Sequence, residues 1–165
     1  MASFPNNEEE CIPMIDFENT IVIQRPVEEV FAFVADFENV PKWNYYVMSV
    51  RQRSEEAIGE GTIYHQIRKG DEQDFQVTEY QPNQAIAVKT TPGSQPRFER
   101  RFVFKPVEGG TRIIDTWRLD LGRNPLIQWL GAPKVKSAVA ANLEKLKELL
   151  ETGRTQLQDG REIAV

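Results

Sequence analysis

Residues 25–43 read RPVEEVFAFVADFENVPKW. Pro26 suits the first position of a helix, where its missing N–H removes no bond. Glu28 and Glu29 then stand near the positive end of the helix dipole, worth about 0.3–1 kcal/mol each. Val27, Val30, Phe31 and Val34 recur at helical spacing and form one apolar stripe. Asp36 is placed to cap a second short helix, which Pro41 ends. The spacing thus predicts two brief helices in succession, with Trp43 just beyond them. Such a pair either closes a catalytic site or helps line a container, and the rest of the chain bears on which.

Upstream, FENTIVIQR sets Phe17, Ile21 and Ile23 against Glu18, Thr20 and Gln24, a strand in which only Val22 breaks the alternation. Downstream, from about residue 46 to 121, the period changes to two. The strands are YVMSVRQRS, GTIYHQIRK, QDFQVTEYQ, QAIAVKTT, PRFERRFVFKP and TRIIDTWRLDL, separated by the turn formers GEG, KGDE, QPN, TPGSQP and EGG. Connections that short force neighbouring strands to run antiparallel. Six strands in a meander, joined by the first, make seven. Beyond Gly122 a helical period returns. Val135, Val139, Leu143, Leu146 and Leu150 share one face, charges take the other, and Gly153 is the stop. The GAP at 131–133 is expected to break or kink this helix and to leave a short turn around Trp129, a lid over residues 124–133.

This order resembles the helix-grip fold, an α+β architecture in which a curved seven-stranded antiparallel sheet wraps a long C-terminal helix. The segment VIQRPVEEVFAFVADFENVPKW is similar to the opening of the START-like, or SRPBCC, superfamily of polyketide cyclases, dehydrases and lipid-transfer proteins. Supporting marks are GEGTIYH (Gly61, Thr62, Tyr64), VTEYQPNQAIAV (Glu79, Pro82) and FVFKPVEGGTRI (Pro106, Gly110, Thr111). The resemblance covers about residues 16 to 151. It implies a cavity between sheet and long helix that holds a lipid, polyketide, quinone or sterol-like molecule. Fold alone does not choose between a carrier and a polyketide cyclase or dehydratase acting in the same cavity.

The bulk numbers agree with such a domain. The 165 residues suit a single core, with 40% hydrophobic and 27% charged residues. A net charge of -5 argues against a nucleic-acid partner, and only RFERRF (Arg97, Arg100, Arg101) points the other way. Cys11 is the sole cysteine, so there is no internal disulfide and no Cys-x-x-Cys motif. No apolar run approaches the roughly 20 residues of a membrane span, and the start, MASFPNNEEE, lacks the basic and apolar regions of a secretory signal. The reading is a cytoplasmic protein with no metal and no cofactor. Residues 1–14 form a disordered leader, 15–152 the domain and 153–165 a flexible tail.

The candidate binding residues are Arg100, Asp115, Trp117, Tyr64, Phe98, Phe102, Trp43 and Tyr80. In PRFERRFVFK, Arg100 shares a face with Phe98, Phe102 and Phe104; on the next strand Asp115 shares one with Ile113, Trp117 and Leu119. If those faces meet across the VEGG turn, a buried Arg100 needs a partner. It then anchors a ligand carboxylate or hydroxyl, or forms an internal ion pair or cation–π contact. A register slip of one residue would instead send it to solvent. Tyr64 and Tyr80 suit oxyanion donors in a cyclase and equally suit strands. Trp43, Tyr45 and Tyr46 either gate the pocket or pin the helices. His65, the only histidine, alternates with Ile63 and Ile67 and has no local catalytic partner.

Overall fold

The computed structural model describes residues 14–120, 122 and 125–165, with 125–130 described by backbone course only. Strand β1 (Ile15–Ile23) is followed by helix α1 (Val27–Ala35) and a 3-10 helix (Phe37–Lys42). Six strands come next: β2 (Val47–Gln52), β3 (Ile63–Arg68), β4 (Glu72–Gln81), β5 (Ala85–Thr90), β6 (Phe98–Val107) and β7 (Gly110–Leu119). Helix α2 (Pro125–Thr152) and the short strands β8 (Arg154–Gln156) and β9 (Glu162–Ala164) complete the chain. The sheet order is β1-β7-β6-β5-β4-β3-β2, antiparallel throughout. The first strand therefore closes beside the last of the meander, and the curled sheet faces α2 in a helix-grip.

The opening segment folds almost as its spacing predicts. Val30, Phe31, Val34 and Ala35 are the buried face of α1. Pro26 stands one place earlier than expected, as the residue whose carbonyl accepts the first helical bonds, from Glu29 and Val30. Asp36 caps the 3-10 helix by accepting from the Glu38 N–H at 3.1 Å. Pro41 lies inside that helix rather than after it; the turn closes on the Val40 carbonyl, which takes the Trp43 and Asn44 N–H groups. Phe31 meets Phe104 and Tyr80 edge-on, and Phe37 meets Tyr64 and Phe75. These rings pack together within the sheet's concavity.

Helix α2 lies along β1 and is fixed at its C-terminal end. Arg25 donates from Nε to the Leu150 carbonyl and from Nη2 to that of Glu151, both at 2.9 Å. A cation there satisfies carbonyls left open by the helix end and meets the negative pole of its dipole. Lys147 Nζ donates to the Val22 carbonyl at 2.6 Å, and the Gln24 N–H to Glu151 Oε1 at 2.8 Å. The β6–β7 hairpin supplies a tight contact beneath this corner. A Cβ on Gly110 would strike the Ile23 carbonyl, so only glycine fits.

Three expectations are corrected. Helix α2 does not break at the GAP: Pro133 lies inside it, and loss of one N–H bond does not stop a helix whose flanking turns continue. The predicted turn around Trp129 is helical backbone, while its side chain and the start of the expected lid lie outside the described residues. The buried arc of α2 is also wider than one stripe. Leu143 and Leu146 join the main core, the fully buried Leu149 stands apart from it, and Leu150 is only half-buried. Lastly, residues 153–165 do not trail away as a flexible tail. Gly153, at φ 79°, ends α2 and turns the chain into the β8–β9 hairpin, which buries Thr155 and Leu157. Strands of three residues are too short to leave a periodic signal.

Candidate functional site

Alternation along β6 sends Phe98, Arg100, Phe102 and Phe104 inward, and along β7 Ile113 and Asp115. The register sets Arg100 opposite Trp117 and Phe102 opposite Asp115. Arg100 therefore reaches diagonally to the carboxylate and grips it with two parallel bonds, Nε to Oδ1 at 2.9 Å and Nη2 to Oδ2 at 2.7 Å. Asp115 is fully buried and Arg100 is 7% exposed. Trp117 Nε1 donates a third bond to Asp115 Oδ2 at 3.2 Å. The guanidinium also lies 4.2 Å from the Phe102 ring, 4.4 Å from Trp117 and 5.5 Å from Trp43. Cation–π contacts of this kind support a charge largely withdrawn from water.

Next to this pair, between the sheet and α2, is a cavity of about 660 Å³. Arg100, Trp43 and Trp117 border it from the sheet side, and Val135, Ala138, Val139 and Asn142 of α2 from the other. These four positions repeat at i, i+3, i+4, i+7, so one helix face supplies a whole wall. Trp43 is 1% exposed, and its buried Nε1–H has no hydrogen-bond partner among the described residues. Tyr45 and Tyr46 border the same space, Tyr46 being 40% exposed, and so mark its solvent side.

At that rim Arg68 holds Asp71 in a second two-pronged pair, with both bonds at 2.7 Å, and stacks over Tyr46. Asp120 accepts from the Gly122 N–H at 2.8 Å and lies 3.8 Å from Arg97 Nε. A loop wall comes from Gln95 and Pro96. It is tied down by a buried relay: Gln66 Nε2 donates to Gln73 Oε1 at 2.7 Å, and Gln73 Nε2 to the Pro96 carbonyl at 2.8 Å. The C-terminal hairpin reaches the rim too. Gln158 donates to Asn142 Oδ1, Lys69 to Asp159, and Arg161 to both Asp159 and the Tyr45 carbonyl. The Arg161 hydrogen bond holds the Asp159 carboxyl well below its usual range, at about 2, with Lys69 assisting.

Of the sequence-derived candidates, Arg100, Trp43 and Trp117 border the main cavity, and Asp115 stands behind them as the counter-ion. Phe98 borders a recess of about 70 Å³ that continues inward from the same residues. Phe102 lies under the guanidinium. Tyr64 and Tyr80 border neither space. Tyr64 stacks on Phe75, and burial, with Asp36 and Glu38 adding, pushes its phenol pKa up, so it stays protonated. Trp43 is an inner wall rather than a gate, because the 3-10 helix carries it beneath the rim. His65 points to the outer face, its ring between Asp74 at 2.6 Å and Glu72 at 3.3 Å.

Sequence reasoning missed Arg68, Asp71 and Asp120, since KGDE reads as a plain turn and LDL as a strand end. It read Val135 and Val139 as core. Their spacing with Ala138 and Asn142, a small and a polar residue on an apolar face, was the available signal.

A sequence model of the family described as polyketide cyclase / dehydrase and lipid transport matches residues 14–151. No match was found among curated proteins. Similar solved structures include TTHA0849 from Thermus thermophilus, 23% identical over 82% of this chain and 95% of that one, with a TM-score of 0.62. Another is the Aha1 dimer from Colwellia psychrerythraea, at 20% over 85% and 98%, TM-score 0.63. The di-domain ARO/CYC StfQ of the steffimycin biosynthetic pathway is 13% identical over 81% of this chain and 49% of its own, TM-score 0.64. At such identities the likeness is one of fold.

Proposed function

The chain belongs to the polyketide cyclase / dehydrase and lipid transport family, and from that premise we propose that it binds a hydrophobic or amphipathic small molecule between its sheet and α2. The observation that carries the reading is the space of about 660 Å³ walled by Trp43, Trp117, Leu119, Val135 and Val139. Small-molecule sites fall in the range of roughly 300–1,000 Å³, with apolar walls and a few fixed polar groups. Lipid, polyketide, quinone and sterol-like guests all fit that description.

Carriage has more support than a cyclase or dehydratase reaction. General acid–base work needs a titratable group free to take or give a proton within reach of substrate. Most charged residues bordering the cavity are instead held in two-pronged ion pairs, Arg100 with Asp115 and Arg68 with Asp71, while Asp120 accepts from the Gly122 N–H. His65 is on the other face of the sheet, and Tyr64 borders neither the cavity nor its recess. On the convex side Arg101 pairs with Glu79 and Arg118 with Asp16, so these cations form no open stripe for phosphates. No helix of the described residues is long and apolar enough to cross a membrane. A cytoplasmic carrier is in keeping with the single cysteine.

The test is to fill the space. Val139→Trp places an indole where a guest would sit. We expect binding of the uncharged fluorophore Nile red to fall by about tenfold or more, with little change in melting temperature. Equal binding by variant and wild type would remove the cavity from the account. Native mass spectrometry of gently purified wild-type protein would show the natural guest as an added mass.

A further inference from the structure

Resting on that reading of the cavity, we propose that its guest is an uncharged molecule carrying a hydrogen-bond-accepting oxygen, such as a ketone, quinone or ester, and that carboxylates are rejected. The inner wall offers N–H groups of Arg100 with no acceptor among the described residues. A guanidinium has five N–H groups; Asp115 takes two from Arg100, and the rest have no partner there. Nearby acceptors are engaged: Asp115 by Arg100 and Trp117, Asp71 by Arg68, Asn142 Oδ1 by Gln158. A guest that leaves the donors bare forfeits their hydration without replacement.

Charge decides the rest. Arg100 is a cation already neutralised by a bidentate carboxylate, and Arg68 repeats the arrangement at the rim. A carboxylate guest beside Arg100 would put two anions against one buried cation. Such a guest brings an uncompensated charge out of water, the costliest arrangement in a protein interior. A carbonyl oxygen accepts from the spare N–H groups without adding charge.

The experiment displaces Nile red from the full chain with three molecules of matched chain: methyl laurate, laurate and dodecane, at about pH 8 where the acid is ionised. The ester is expected to bind about tenfold or more tighter than each of the others. Asp115→Asn frees the Arg100 charge and should invert the order in favour of laurate. If Asp115→Asn does not fold, the wild-type series still decides. Laurate or dodecane matching the ester on wild type would overturn the inference while leaving the carrier reading in place. Failure of Nile red and all three to bind would overturn both.

Discussion

Removing the carboxylate at Asp115 would leave the Arg100 guanidinium buried without its counter-charge. Breaking such a pair costs about 3–5 kcal/mol, whereas replacing both partners by apolar residues of similar volume is often neutral or stabilising. Urea unfolding should therefore show Asp115→Ala strongly destabilised and Arg100→Met with Asp115→Leu close to wild type. A mild effect of Asp115→Ala would mean that water reaches Arg100. The sequence contained the facing of these residues but not their partnership. Alternation in PRFERRFVFK put Arg100 among phenylalanines, and burial follows that pattern. Register, which sets Arg100 opposite Trp117, depends on hairpin geometry that one residue of slip reverses. Trp43 was legible as an aromatic of interest, while its depth depends on the path of the 3-10 helix.

Among elements, α1 and α2 announce themselves through helical spacing, and the strands through alternation between glycine- and proline-rich turns. The β8–β9 hairpin announces nothing, because each strand is only three residues long. Asp159 is the hub of that attachment, linking Lys69 and Arg161. Its pKa is lowered from 3.8 to about 2 by the Arg161 hydrogen bond first and by Lys69 next. A depressed folded-state pKa contributes stability that is present above the ordinary value and lost as pH falls through the folded one. The stability difference between wild type and Asp159→Asn should thus be constant from neutrality to about pH 5, fall from there, and vanish near about pH 1. A difference that disappears well above the ordinary carboxylate range would show that the carboxylate is not what docks the hairpin.

At the scale of the whole molecule, two ends of one concave sheet have different fates. Phe31, Phe37, Tyr64, Phe75 and Phe104 interlock at one end. At the other, Val135 and Val139 face Trp117 and Leu119 across open space. Element order made the helix-grip legible, since a strand, two short helices, a meander and a long helix admit few packings. Cavity size was not legible, because it follows from how far α2 stands off the sheet, which no periodicity in the sequence encodes. The most direct measurement is an intermolecular NOE experiment on valine-methyl-labelled protein with bound Nile red. Cross-peaks from the dye to Val135 and Val139, and none to Val30 and Val34 of α1, are the predicted result. Dye contacts confined to the outer surface, or reaching the α1 valines, would contradict a cavity between sheet and helix.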